Sequence, residues 1–499
     1  MLSTNPTTPG PESPSSAGID HSLRHPVMFF ITCGAAWLVV SIVCGVIASA
    51  KLHGPDLLGG WSWLAYGRLM PAHLGALVYG WGMQVAVAVI IWLMARMSNK
   101  ECTAVGTILT AGVIWNIGVA SGILGILSGN GTGISWLEFP AFVWPVLLVS
   151  YCAIIVWSFI QFWVRPAGVV EIAQWYNLAA MIWFPWIFIT ANTLLHWLPG
   201  HPLMGAAINA WYKSAMVWLF FTPVALGAAY ALAAQVAGSR VVGGSLARLG
   251  FWSLAVIAPW AGMQKLAGAP VPYFLPYVGA AATALLFIPV CAAVTDMLRL
   301  MGPGRTRLAA DPALRFTIAG LVWLVGLAVE LLVFNLPGST LRLTQFSVAG
   351  YGFEIVALYG FFSLVMFGVI YWMVPCVTGC VWRSRKFIDM HWLFSIYGMV
   401  TVICVTMCGG LQQGLSQEKW LQPWLMTAAS LNPYAVAMTF GWCLILFANV
   451  FFGLNLATMW LHIYRRNIHQ PTTESPQQTA HGDANSASGD WRAGYRSPR

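Results

Sequence analysis

Long apolar stretches, separated by short polar, proline or glycine breaks, dominate the pattern of residues along this chain. A membrane-spanning helix needs about 20 mostly apolar residues, and twelve windows reach that length. They cover residues 27–50, 70–96, 103–127, 136–163, 169–198, 208–236, 243–268, 272–299, 313–337, 346–376, 391–415 and 431–463. The pattern predicts an all-α, polytopic membrane protein, a bundle of twelve transmembrane helices.

The two ends of the chain break this pattern. The first residues are rich in Pro, Ser, Thr and Gly, and the last thirty are polar and low in complexity. Such segments cannot bury enough apolar surface to fold alone. We therefore expect a disordered tail over 1–26, a membrane domain over 27–463 and a second disordered tail over 464–499.

Composition agrees with a membrane protein. Of the 499 residues, 59% are hydrophobic and only 8% are charged, whereas soluble domains carry about a quarter charged residues. The 27 Trp, 26 Phe and 15 Tyr suit interfacial aromatic belts, and “GISWLEFP” (133–140) suggests one outer-surface aromatic anchor. The net charge of +9 falls mostly in loops, so lipids are expected partners and nucleic acid is not.

Lysine and arginine positions predict the orientation of the bundle. In a twelve-helix arrangement, eighteen of these residues fall on the side that carries both termini and four on the opposite side. Basic residues collect in cytoplasmic loops. We therefore expect a multi-pass protein of a bacterial-type inner membrane, with both termini in the cytoplasm.

Five polar residues interrupt the apolar windows at one depth. His73, Lys213 and Glu354 lie near the beginnings of windows 2, 6 and 10, and Gln264 and Lys265 lie near the end of window 7. With alternating helix directions, all five fall in the outer third of the bilayer. Intramembrane charge normally faces a partner or a cavity, so a shared interior site is expected.

Several of these windows resemble one known family. “WSWLAYGRLMPAHLGALVYGWGMQ” (61–84), “INAWYKSAMVWLFFTPVALGAAY” (208–230), “FWSLAVIAPWAGMQKL” (251–266) and “GYGFEIVALYGFFSLVMFGVIYWMVP” (350–375) resemble helices 2, 6, 7 and 10 of the catalytic subunit I of haem-copper oxidases. The C-type (cbb3) branch is the most similar. The resemblance extends in order over about 27–463 and implies the same twelve-helix fold.

The resemblance also implies metal chemistry, which in that family depends on six histidines. One on helix 2 and one on helix 10 hold a low-spin haem, a second on helix 10 holds a high-spin haem, and one on helix 6 with a pair on helix 7 holds copper. The matching positions in this chain are His73, Ala215, Gln264, Lys265, Phe353 and Ile355.

Five of the six ligands are therefore missing, and no histidine occurs anywhere from 202 to 390. An ammonium has no lone pair for a metal. We expect the oxygen-reducing haem–copper centre to be lost and copper to be absent. His73 is open to two interpretations: a hydrogen-bonded relic, or the axial ligand of one retained haem.

Lys213, Lys265 and Glu354 lie at or next to the former ligand positions. They are expected to form, with Gln264, a buried polar cluster that replaces the charge of the lost metals, with Glu354 as the partner of Lys265. The alternative is that both lysines extend to the outer interface.

Three functions stay open at this point. The first is a non-catalytic subunit I homologue that serves as scaffold or partner in a respiratory or electron-transfer complex, with cytochrome c-type or copper-protein subunits on its outer face. The second is an electron-transfer protein that keeps a haem through His73. The third is an ion or small-molecule conduit through the vacated cavity. Whether the chain is an enzyme is undecided.

Overall fold

The computed structural model describes residues 15–165, 168, 170–197, 202–238, 243–302, 310–419 and 422–469. Within these residues, twelve helices are long and apolar enough to cross a membrane, which confirms the predicted all-α bundle. They are α1 (Arg24–His53), α2 (Tyr66–Ser98), α3 (Val105–Ser128), α4 (Val143–Trp163), α5 (Ile172–Trp197), α6 (Pro202–Ala237), α7 (Ser245–Leu266), α8 (Phe274–Leu300), α9 (Pro312–Phe334), α10 (Ala349–Thr378), α11 (Arg385–Gln417) and α12 (Trp424–Arg466).

Three of the helices form the interior of the bundle. The most apolar stretches of α2, α6 and α10 are 100%, 100% and 94% buried, whereas those of the other nine are 39–56% buried. A helix that is apolar on every side is stable only inside a protein or a membrane. The nine outer helices, with one face toward the interior and one outward, surround α2, α6 and α10.

Each interior helix widens into a π-helical segment at a similar point. These segments cover Ala76–Gly82 in α2, Met216–Phe221 in α6 and Val356–Ser363 in α10. Such wide turns are rare and often occur at functional sites. All three begin within three residues of a polar side chain that the sequence singled out, which places those side chains beside irregular backbone.

Helix α7 differs from the continuous span that the sequence predicts. Its regular part ends at Ile257, and the chain continues in short 3-10 turns over Ala258–Trp260 and Met263–Leu266. Pro259 lacks the N–H needed to continue the helix, and Gly262 has a φ of +100°. A Cβ at Gly262 would lie 2.5 Å from the Ala210 carbonyl oxygen of α6, so the break also permits close packing.

Part of the expected N-terminal tail is helical. Residues 1–14 lie outside the described residues, but Ser16–Ser22 form a helix, and α1 begins at Arg24. The cause is Asp20, which is 4% exposed and is bound by Arg96 at 2.7 Å. The boundary expected at residue 26 is therefore wrong.

The C-terminal boundary also shifts, because α12 remains helical beyond residue 463 and reaches His469. The rest of the expected tail, residues 470–499, lies outside the described residues.

Candidate functional site

An ion pair between α6 and α10 forms the centre of the candidate site. Nζ of Lys213 donates to Oε1 of Glu354 at 2.6 Å. The two side chains are 27% and 18% exposed, so both are largely shielded. Because Coulomb attraction strengthens where water is excluded, this pair links two of the three interior helices.

A tryptophan from the loop between α3 and α4 binds the other oxygen of the carboxylate. Nε1 of Trp136 donates to Oε2 of Glu354 at 2.9 Å, and the indole is completely buried. The Trp136 carbonyl in turn accepts a 2.6 Å hydrogen bond from the hydroxyl of Tyr79. The expected outer-surface aromatic anchor at Trp136 is therefore wrong, because the loop turns inward and satisfies Glu354.

Gln264 lies in the short turn after the break in α7. Its Oε1 accepts hydrogen bonds from the Gly262 backbone N–H at 2.9 Å and from the Thr283 hydroxyl at 3.1 Å. Its Nε2 donates to Oδ1 of Asn335 at 3.4 Å. The amide is 3% exposed and hydrogen-bonded on both sides, so it stabilises the irregular turn and joins α7 to α8.

Lys265 does not form the ion pair that the sequence predicts for it. Both oxygens of Glu354 are already bound by other groups, and Nζ of Lys265 has no ion pair or hydrogen bond within the described part of the chain. The ammonium lies 5.3 Å from the centre of the Phe353 ring. The expected pairing of Lys265 with Glu354 is therefore not formed, because Lys213 occupies that position.

All four members of the polar cluster line one cavity of about 320 Å³. Its walls come from α6, α7, α8, α9 and α10, from the loop before α10, and from Trp136 of the loop between α3 and α4. Apolar side chains cover part of the wall, and they include Val217, Trp218, Leu266, Leu327, Leu331 and Phe353. The lining therefore contains two lysines, Lys213 and Lys265, against one carboxyl group, Glu354, together with several apolar side chains.

A second carboxyl group lies close to the cluster, in the loop between α3 and α4. Glu138 is 5% exposed. Burial raises the pKa of its carboxyl from 4.5 to about 8, with a smaller upward contribution from Glu354, while two backbone N–H groups and Lys213 act in the opposite direction. Burial penalises the charged form of a carboxyl group, so Glu138 keeps its proton at neutral pH.

Glu138 makes the stability of the protein depend on pH. The folded protein binds this proton up to about pH 8, whereas the unfolded chain releases it near pH 4.5, so wild-type stability falls as the pH rises between these values. We expect Glu138→Gln to melt at a higher temperature than wild type at pH 8 and at the same temperature near pH 4.5. Thermal melting followed by tryptophan fluorescence at both pH values checks this. A constant difference across the range would contradict it.

His73 lies apart from the charged cluster, against α1, α10 and α12. Its Nδ1 donates to the Ser41 carbonyl at 2.8 Å, which leaves Nε2 with the lone pair. That atom accepts a hydrogen bond from the Tyr351 hydroxyl at 3.1 Å, and the Trp442 ring packs edge-on at 4.9 Å between ring centres. Gly45 leaves room for the imidazole, since a Cβ there would lie 2.9 Å from Nδ1.

The residues present do not fit a haem held between α2 and α10. On α2, Nε2 of His73, the nitrogen that would hold a haem iron, already accepts a hydrogen bond from Tyr351. On α10, the matching side chains are Phe353 and Ile355, which offer no ligand atom. A haem at His73 therefore requires Tyr351 to move away.

The side chains at the positions that the resemblance assigns to copper do not fit that metal. The matching positions supply the methyl group of Ala215, the hydrogen-bonded amide of Gln264 and the ammonium of Lys265, and none resembles the neutral imidazole that copper prefers. Among the described residues, no three or more His, Cys, Asp or Glu side chains are arranged to hold a metal ion. The cluster instead offers charge and hydrogen bonds.

Tyr351 and Asp20 were not singled out from the sequence, and Trp136 was singled out only as an outer-surface anchor. Each of the three binds a polar group on a helix distant in the chain: His73, Arg96 and Glu354, respectively. The only signal was indirect, because a carboxylate or imidazole at membrane depth must have a partner. Nothing local in the sequence identified which residue it would be.

The fold and the site define a twelve-helix integral membrane protein of the subunit I type, with three interior helices around a polar cluster. Residues 25–444 match the family described as Cytochrome C and Quinol oxidase polypeptide I. The chain belongs to this family.

Individual relatives are distant. A “Cytochrome c oxidase subunit 1 homolog” of Azorhizobium caulinodans is 21% identical over 446 residues, which cover 84% of this chain and 79% of the relative. The “Cbb3-type cytochrome c oxidase subunit CcoN1” of Stutzerimonas stutzeri is 23% identical over 410 residues, covering 77% and 83%. A chain of a heme-copper terminal oxidase dimer, solved by cryo-EM, matches with a TM-score of 0.63 at 14% identity, covering 91% of this chain and 85% of that one. This structural likeness concerns the fold alone.

Proposed function

We propose that this chain is a cytochrome c oxidase subunit I homologue that no longer reduces oxygen and serves as a membrane scaffold or partner subunit of a respiratory or electron-transfer complex. One observation carries the proposal: the Lys213–Glu354 ion pair, closed by Trp136, lies where the family resemblance assigns metal ligands. Oxygen reduction requires metal coordination there, and an ammonium bound to a carboxylate provides none.

The scaffold part of the proposal is supported by the intact architecture around the altered site. The chain has twelve candidate spans with α2, α6 and α10 enclosed, and this architecture supports a protein that still occupies the place of a subunit I in a membrane complex. We expect its partners to be cytochrome c-type or copper-protein subunits on the outer face. We also propose that both termini lie in the cytoplasm.

Oxygen uptake and co-purification together test the proposal. The tagged full-length chain is purified from its native membranes in a mild detergent and supplied with reduced cytochrome c. We expect no oxygen consumption above the detergent blank, together with a co-purified c-type cytochrome or copper protein. Cyanide-sensitive oxygen uptake by this chain would overturn the proposal, and purification without either kind of partner would overturn its scaffold part.

A further inference from the structure

Two lysines, Lys213 and Lys265, line the cavity beside α7, but the described lining residues include only one carboxylate, Glu354. Glu354 accepts bonds from Lys213 and Trp136, whereas Lys265 extends into the same cavity without a carboxylate of its own. A shielded ammonium without a partner is costly. A bound anion would remove that cost.

A further group, beside Gln264, favours an anion over a cation. Asn335 is 2% exposed and its Nδ2 has no hydrogen-bond acceptor among the described residues, while its Oδ1 is bound by Gln264. One donor without an acceptor therefore lies next to Gln264, the residue that precedes Lys265 in the chain. Glu354 is the one carboxylate among the described residues that line the cavity, and its two oxygens already accept from Lys213 and Trp136.

Part of the cavity lining is apolar. Trp218 and Leu266 are almost completely buried, and Leu327 and Leu331 of α9 add to the apolar lining. A volume of about 320 Å³ exceeds that needed for a halide and suits a small organic molecule. The site therefore matches a ligand with one negative end and a short hydrocarbon chain.

We propose that this cavity binds a short-chain monocarboxylate, with the carboxylate on Lys265 and the hydrocarbon chain against α6 and α9. The ammonium and the carboxylate form a shielded, charge-assisted pair. Each methylene added to the hydrocarbon chain of the ligand displaces water from the apolar part of the cavity lining. The inference does not rest on the proposed scaffold role, and the two can fail separately.

Calorimetric titration of the purified full-length protein with acetate, butyrate and hexanoate tests this inference. Ionic strength is matched with chloride at neutral pH. We expect saturable binding of the carboxylates, with affinity rising about fourfold per added methylene. Hexanamide, which has the same shape without the charge, is expected not to bind. Absence of saturable hexanoate binding, or equal binding of hexanamide, would overturn the proposal.

A substitution of Lys265 tests whether this residue binds the carboxylate. Lys265→Met removes an ammonium that bonds no other described side chain, so folding is expected to survive, and gel filtration checks this. Hexanoate affinity should fall by about tenfold or more. Lys419→Met, an exposed lysine changed in the same way, serves as the control and should bind as wild type does. Unchanged affinity in Lys265→Met would contradict the site.

Discussion

Glu354→Gln is expected to destabilise the protein by about 3 kcal/mol, because the change leaves the ammonium of Lys213 shielded from water without its carboxylate. It also removes the charge that accepts the hydrogen bond of Trp136. The stability is measured as the free energy of unfolding in mixed micelles, with the melting temperature as a second readout. A loss of this size exceeds what most single substitutions cause.

A matched control exists in the exposed ion pair between Arg342 and Glu418, whose atoms are 2.9 Å apart and whose side chains are 64% and 40% exposed. Glu418→Gln is expected to cost less than about 1 kcal/mol, since exposed pairs contribute little. The double variant Lys213→Met/Glu354→Gln should recover much of the loss, because no unpaired charge remains. Equal effects of Glu354→Gln and Glu418→Gln would contradict the central ion pair.

Asp20→Ala is the second change expected to have a large effect, about 3–5 kcal/mol of destabilisation. Asp20 accepts two hydrogen bonds from Arg96, at 2.8 and 2.7 Å, and one from Nε1 of Trp92 at 2.9 Å. The guanidinium of Arg96 also packs beside the Trp92 and Trp372 rings, 4.7 and 5.8 Å from their centres. Without Asp20, it would stay in this position with no counter-charge.

The pair formed by Arg315 and Asp389 provides the comparison, because its atoms are also 2.8 Å apart but its carboxylate is 40% exposed, against 5% for Asp20. Asp389→Ala is expected to cost about 1 kcal/mol. Unfolding of the two variants in parallel checks the difference. If Asp20→Ala were no more destabilised than Asp389→Ala, the helix Ser16–Ser22 would not be an integral part of the fold.

The fold could be predicted from the sequence because the membrane imposes a strong rule on it. Each span must be apolar over about 20 residues, and the twelve windows correspond to α1–α12. The break in α7 was harder to predict from the sequence. Pro259 and Gly262 are visible in the sequence, but helices in membranes tolerate such residues when neighbours satisfy the freed backbone groups. Here Gln264 does so, by accepting from the Gly262 N–H.

The sequence predicted where the site lies in the bundle, but not which of its side chains contact each other. Residue type and depth placed Lys213, Lys265 and Glu354 in one region, and they line one cavity. Which lysine binds the carboxylate depends on side-chain reach across the bundle and on the inward turn of the loop that carries Trp136. These are contacts between residues more than a hundred positions apart, and no local pattern encodes them. Tyr351 at His73 is another such contact.

The optical spectrum of the purified chain tests most directly the claim that an ion pair has replaced the metal centre. The dithionite-reduced protein is recorded with and without carbon monoxide, and bound metals are quantified in the same sample. We expect no Soret band assigned to this chain, no carbon monoxide difference signal and no stoichiometric copper or iron. A carbon monoxide-sensitive Soret band in this chain would contradict the loss of the metal centre, and the disappearance of that band in His73→Ala would locate the haem on α2.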